Sequence, residues 1–161
     1  MIFLTVGTQF PFDRLVKAVD DVVGQNLLND EIVAQIGKYT YRPKHFDFVS
    51  LLEKDRYDAC AKNASSIISH AGMGSIITAL EYDKPLLVMP RFRKYGEVVN
   101  DHQLAIASRF EQLGLLLVAY EAEEMTQRIK CLKSFKPKKR ENQTQAVINR
   151  ISRFLKELTA M

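Results

Sequence analysis

The stretch that decides the fold is SIISHAGMGSIITALEYDKPLLVM, residues 66–89. It opens on an apolar run without in/out alternation, turns through two glycines, continues at helical spacing, and closes on a second apolar run after Pro85. Strand, tight turn, helix and strand in that order make a parallel βαβ unit, and continuous apolar strands mark a sheet buried on both faces. Gly72 and Gly74 let the backbone turn sharply from strand into helix and let a ligand come close. The free amides of Gly72 to Ser75 then lie at the positive end of the helix dipole, which is a site for phosphate oxygens.

The same alternation extends in both directions. Upstream, 2–6 reads as a buried strand ending at Gly7-Thr8. Pro11 opens a helix in which Phe12, Leu15, Val16, Val19, Val22 and Val23 recur at helical spacing until Gly24. Strands are expected at 32–36 and, more weakly, at 46–49, with a helix over 53–64. The glycine turn leads into a helix over about 75–82 and a strand at 85–89. Downstream come a polar loop at 90–97, a helix from about 98 to 112, a strand at 115–118 and a helix starting near 121. Lys136 to Arg140 is a break, and a last helix spans roughly 142–158. The fold class is α/β, a Rossmann-like parallel sheet with helices on both faces. The chain divides into a nucleotide-binding unit, 1–133, and a basic linker with an amphipathic helix, 134–161.

Composition agrees with that reading. The 161 residues suffice for one ordinary domain, and 47% hydrophobic with 26% charged residues rules out wholesale disorder, a collagen-like fibre or a disulfide miniprotein. No segment approaches the ~20 apolar residues of a membrane-spanning helix. The opening MIFLTVGTQFPFDR lacks a basic leader and reads as a core strand, not a signal peptide. Cys60 and Cys131 are two separate thiols, and His45, His70 and His102 are too scattered to complete a zinc site, so no metal is expected.

The net charge of +4 hides an asymmetry: residues 1–125 carry −4 and residues 126–161 carry +8. Such a basic end either meets something anionic, such as phospholipid headgroups, an acidic partner or nucleic acid, or is a solvated helix surface. On the helix at 142–158, Val147, Ile151, Phe154, Leu155 and Leu158 form one stripe with Arg150, Arg153 and Lys156 outside it. That stripe docks on a partner or on its own domain.

Ligands of open parallel sheets sit beyond the carboxyl ends of the strands. Three polar clusters fall at such ends: Gly7-Thr8-Gln9, His70 to Ser75, and Asn100 to Gln103. His70 is either a donor to a phosphate or sugar hydroxyl, or a structural histidine. Thr78, one turn beyond Gly74, either faces the same ligand or bonds back to its own helix. Asp101 either faces the ligand or simply complements a helix dipole. His102 and Gln103 precede Ile106 and Ala107 by four positions and are expected on the inward side of their helix. Of Arg91, Arg93 and Lys94, at least two are expected in solvent and the remainder is free to meet a diphosphate. The dinucleotide fingerprint GxGxxG fails, since Ile77 stands where its third glycine belongs and the turn follows a late strand; the Walker sequence is absent. An NAD-dependent enzyme is therefore disfavoured.

Three segments carry a family resemblance: MIFLTVGTQFPFDRLVKAVD, ISHAGMGSIITALEYDKPLLVMPR and GEVVNDHQLAIASRF, in that order. Together they resemble bacterial exopolysaccharide and capsule glycosyltransferase subunits. Those are similar to the catalytic C-terminal half of family 28 glycosyltransferases and to the small eukaryotic subunit that adds the second N-acetylglucosamine to a dolichol-linked sugar. The resemblance implies a GT-B-type domain that binds a UDP-sugar without metal and inverts the anomeric centre. It places Gly7 and Thr8 along the donor cleft, and His70, Gly72, Met73, Gly74 and Ser75 on the diphosphate and uridine side. His102 and Gln103, next to Asp101, fall on the sugar. Thr78 stands where many members carry a glutamate on the ribose. The resemblance also implies a membrane-anchored partner subunit that binds a lipid-linked acceptor, a cytoplasmic location peripheral to the inner face of the membrane, and no role for nucleic acid. No general base is identified in the sequence, and it is expected on the partner. The rival reading is a non-catalytic UDP-sugar-binding module that regulates a membrane partner.

Overall fold

The computed structural model describes residues 1–139 together with Asn149 and Ser152. Six strands form one sheet: β1 (Ile2–Thr5), β2 (Ile32–Gln35), β3 (Phe48–Val49), β4 (Ser66–His70), β5 (Leu86–Met89) and β6 (Leu117–Val118). Among the described residues, α1 (Asp13–Gly24), α2 (Lys54–Asn63), α3 (Met73–Glu81) and α4 (His102–Gln112) lie between strands, and α5 (Met125–Leu132) follows β6. The strand order is β3-β2-β1-β4-β5-β6, and every pairing is parallel. Ile2 lies opposite Ile32 on one side and Ser66 on the other. The order therefore reverses between β1 and β4, and the crevice beyond their carboxyl ends is where such a sheet binds ligands.

Each face of the sheet has its own core. Ile2, Leu4 and Val6 point to the side covered by α1 and α5, where Leu15, Val19, Ile129 and Leu132 are buried. Phe3 points to the opposite side, with Ile76 of α3 and Ala61, Ala79 and Ala107 of α2, α3 and α4, all fully buried. A methyl at each crossing lets three helices come close to the sheet, while larger aliphatic strand residues fill the layer between. This is the expected sandwich of a parallel sheet between helices.

The elements depart from the sequence expectation at a few ends. α3 begins at Met73, two residues early, so the glycine turn itself is the helix start. The strands expected at 46–49 and 115–118 shrink to the two-residue edge strands β3 and β6. The helix expected from 98 begins only at His102. Gly96 is left-handed (φ +69°), Asn100 Oδ1 accepts the His102 amide at 3.1 Å, and Asp101 Oδ1 accepts the Arg93 amide at 2.8 Å. These local side-chain bonds hold 98–101 as a loop. After α5, the chain runs back past Gly114, whose carbonyl accepts the Lys138 amide at 3.0 Å. The helix expected at 142–158 lies outside the described residues apart from Asn149 and Ser152. Among the described residues no helix is long and apolar enough to cross a membrane.

The loop between β2 and β3 is fastened to α1 by two carboxylates. Asp13 accepts from the Thr40 amide and hydroxyl. Asp20, 1% exposed, accepts from Tyr41 Oη at 2.6 Å and from the Lys44 and His45 amides at 3.0 and 2.8 Å. Burial pushes the Asp20 carboxyl up, but these hydrogen bonds outweigh it and hold it below the ordinary value. The bond to Asp20 pushes the Tyr41 phenol up to about 12.

Candidate functional site

The site grows from the ends of β1 and β4. Beyond β1, Gly7 takes φ +75°. Beyond β4, His70 leads through Gly72 into α3. The His70 imidazole fills the space between the two glycines. A Cβ on Gly7 would lie 2.9 Å from its Cε1, and one on Gly72 would lie 2.1 Å from its Nε2. Both positions are glycine because the ring takes the room of a side chain. Gly74 differs: a Cβ there meets nothing within 4 Å and points into open space.

His70 Nδ1 lies 3.2 Å from Ser69 Oγ, which donates its own hydrogen to the Thr5 carbonyl at 2.7 Å. The Ser69 oxygen is left as acceptor, so Nδ1 carries the proton and Nε2 offers a lone pair on the Gly72 side. Burial, with the positive Arg91 nearby, lowers the His70 pKa to about 4. The ring is neutral at pH 7.

Arg91 follows β5 and is 3% exposed. Its Nη2 donates to the carbonyls of Val6 at 2.9 Å and Phe10 at 2.7 Å, and its guanidinium lies 4.7 Å over the Phe12 ring. Its backbone amide donates to Gln103 Oε1 at 3.1 Å, and its buried Nε has no partner. Burial lowers its pKa to about 10, which leaves it charged at pH 7. Arg14 secures the same segment from α1. It donates to Glu97 at 2.8 Å and to the Pro90 carbonyl at 2.7 Å, and stacks 4.9 Å from Tyr95. The other two basic residues of this loop, Arg93 and Lys94, are exposed, and Lys94 pairs with Glu121 at 2.6 Å.

At the start of α3 no side chain caps the helix. Its first amide with a helical acceptor is Ile76, bonded to Gly72 O at 3.1 Å. The amides of Met73, Gly74 and Ser75 precede it, at the positive end of the dipole. Thr78 Oγ1 donates back to Gly74 O at 3.0 Å, so the back-bonding alternative holds for its hydrogen while its lone pairs remain.

These parts enclose a cleft of about 670 Å³. Of the residues expected at the site, Gly7, Thr8, His70, Gly72, Met73, Gly74, Ser75, Thr78 and Gln103 line it. Asp101 and His102 do not. Both are exposed, because the late start of α4 leaves Asp101 in the loop and turns His102 outward. Only Gln103 of that cluster reaches the cleft. Gln35, Leu51, Leu52, Lys54, Tyr57 and Arg91 line it as well. Arg91 is the loop cation left free to meet a diphosphate; the others are not site candidates in the sequence reading, although Gln35 ends a strand and Leu51, Leu52 and Lys54 follow one, on the same rim as the glycine turn. Among the described residues no aspartate or glutamate lines the cleft, while Arg91 and Lys54 do. Among the described residues no three His, Cys, Asp or Glu side chains gather into a metal-binding set. A neutral-to-positive cleft closed by helix amides is built to hold a polyanion.

The comparisons with known proteins agree. The family model described as glycosyltransferase family 28 C-terminal domain matches residues 1–158. The UDP-N-acetylglucosamine transferase subunit ALG13 of Mus musculus is 37% identical over 123 residues, covering 71% of this chain and 10% of the mouse protein. Its human counterpart is 34% identical over 124 residues, covering 71% and 10%. The chain thus spans a tenth of the length of these curated relatives. The crystal structure of Acinetobacter baumannii MurG superimposes with a TM-score of 0.64 at 18% identity, covering 94% of this chain and 49% of that one. The NMR solution structure of ALG13 gives 0.60 at 19% identity, covering 84% and 87%. At such identities the structural likeness is one of fold.

Proposed function

Because the chain belongs to the glycosyltransferase family 28 C-terminal domain family, we propose that it is the donor-binding catalytic subunit of an inverting UDP-sugar glycosyltransferase. The observation that carries this reading is the uncapped start of α3 opening into a cleft with no carboxylate and with Arg91 and His70 in its wall. The diphosphate lies on the amides of Met73, Gly74 and Ser75. As the bond from the anomeric carbon to the phosphate oxygen breaks, negative charge grows on the departing UDP. Fixed amide dipoles stabilise it without reorganisation. No metal takes part in this proposal, as the family resemblance implies; among the described residues the cleft has no carboxylate to bring a divalent cation to the diphosphate.

Inversion requires an acceptor hydroxyl to attack the face of the sugar opposite UDP while a base takes its proton. In this reading His70 is beside the diphosphate, on the leaving-group side, and among the described residues no carboxylate lines the cleft. The base therefore comes from a second, membrane-anchored subunit that binds a lipid-linked sugar acceptor, as the family resemblance implies. Leu51 and Met73, exposed apolar residues that line the cleft, suit contact with such a subunit. Residues 134–161 form the basic segment beside the membrane, each near-surface Lys or Arg contributing about 1 kcal/mol on anionic lipid. The setting is the cytoplasmic face of the membrane, in exopolysaccharide or capsule synthesis.

The test is titration calorimetry of UDP with the wild-type chain and Gly74→Asp, followed by a donor-panel assay after co-expression with the membrane subunit. Binding lost in the variant, and transfer from one donor, support the reading; unchanged UDP affinity rejects the phosphate site. The missing base also favours a second reading, a non-catalytic UDP-sugar-binding module. That reading requires UDP-sugar binding with no transfer even when the partner is present.

A further inference from the structure

We infer that the chain's own terminal segment, 140–161, lies along the outer face of α3 and seats its apolar stripe in the groove at the end of that helix. The inference stands apart from the donor cleft, which opens at the other end of α3.

The groove holds about 890 Å³. One wall is the last turn of α3, at Leu80, with Pro85 before β5; the other is the linker at Phe135 and Pro137. The helix itself, MGSIITALE, has a single charged residue, Glu81. Ile76 and Ala79 are fully buried against the sheet, yet Ile77 is 43% exposed and stands three positions from Leu80, on the neighbouring turn. A helix apolar on both sides calls for cover on both. Ile77 and the groove mark the open side.

The place where the described chain stops identifies the occupant. Lys139 ends the continuous stretch and lines this groove. The segment from 140 to 161 carries the stripe of Val147, Ile151, Phe154, Leu155 and Leu158. Asn149 and Ser152 are helical and exposed, and at 3.6 residues per turn they fall on the side away from that stripe. A helix over 142–158 is about 25 Å long, against about 13 Å for α3, and covers it from end to end. Glu81 and Asp83 on the groove wall form no ion pair among the described residues and suit Arg150, which flanks the stripe. A tether of a few residues holds the stripe over this face at an effective concentration of about millimolar, which favours the chain's own segment over a separate polypeptide. Arg153 and Lys156 share the outer side with Asn149 and Ser152 and stay available to an anionic surface.

The experiment places a nitroxide on Ser152→Cys in the full chain, with Cys60→Ala and Cys131→Ser removing the native thiols. Amide NMR spectra are recorded on the isotope-enriched labelled chain. They are recorded again on enriched chain without the nitroxide, mixed with an equal amount of labelled chain at natural abundance. Docking within the chain should broaden the amides of 77–84 in the first sample and leave them sharp in the mixture. Adding Ile151→Asp and Leu155→Asp should restore those signals and lower Tm by about 5–10 °C, the shift for two large side chains losing their cover in a domain of this size. Unchanged amide shifts along β1 and β4 check the fold of each variant. Sharp signals over 77–84 in the labelled chain put the segment elsewhere and overturn the inference. Broadening in the mixture assigns the groove to a second copy and overturns it equally.

Discussion

Nη2 of Arg91 donates to the carbonyl of Val6, 85 positions earlier in the chain, at 2.9 Å. The bond joins the end of β5 to the end of β1 across the intervening β4, and a second bond to Phe10 O carries it over the whole glycine loop.

Replacing Arg91 by Met removes both bonds and leaves the buried Val6 carbonyl and the partly buried Phe10 carbonyl without this donor. The expected loss is about 2–4 kcal/mol. Urea denaturation measures it. Arg91→Lys should recover part of the stability, since one ammonium can reach one carbonyl but lacks the planar spread of the guanidinium. A variant as stable as wild type would show that Val6 and Phe10 need no clamp.

His70 makes stability depend on pH. Its folded pKa of about 4 lies below the ordinary 6.5, so between those values the unfolded chain binds more protons. Stability of the unliganded protein should therefore fall as pH drops from 6.5 towards 4, by up to ~3 kcal/mol. His70→Gln should flatten that part of the profile in urea titrations. A diphosphate in the cleft favours the charged ring, so UDP should bind more tightly as pH falls from 7 to 5. Calorimetry in buffers of different ionisation enthalpy should register proton uptake, and no uptake would place the diphosphate away from Nε2.

Gly72 and Gly74 should respond in opposite ways to alanine. At Gly72 the added methyl collides with the wedged His70 ring, and a loss of about 1–3 kcal/mol is expected. At Gly74 the methyl meets nothing, and helix propensity adds about 0.5–1 kcal/mol of stability. The same methyl stands in the space assigned to the diphosphate, so Gly74→Ala should be more stable yet bind UDP more weakly. Thermal melts with and without UDP separate the two effects.

Asp20→Asn should lower stability by about 1–3 kcal/mol, because an amide cannot accept all the bonds now made by the buried carboxylate. With a lowered folded pKa, the stabilisation from Asp20 is present above about pH 4 and fades as pH drops through the folded value. Comparing variant and wild type by urea denaturation at pH 7 and pH 3 should show the gap narrowing in acid.

The centre of the fold was legible because its signals are local. Apolar runs at β1, β4 and β5 and the helical spacing of Leu15, Val16, Val19 and Val22 need no distant partner to be read. Gly72 and Gly74 marked the mouth of the cleft in the same way. Arg91 was harder, since a charged residue in a polar loop gives no sign that carbonyls 81 and 85 positions away will bury it. Tyr57 read only as one face of a helix, for its place in the cleft lining depends on how α2 packs beside the glycine turn. His102 was misplaced because Asn100 and Asp101 bond locally and delay the helix, which turns its side chain away from the cleft.

An imidazole lodged where a neighbouring methyl would go ties together the histories of two positions. Alanine at 72 is accommodated without that clash only after the histidine at 70 has given way to something smaller, whereas the reverse order passes through a less stable chain. Along any lineage that abandons this pocket, the ring should vanish first and the glycine afterwards.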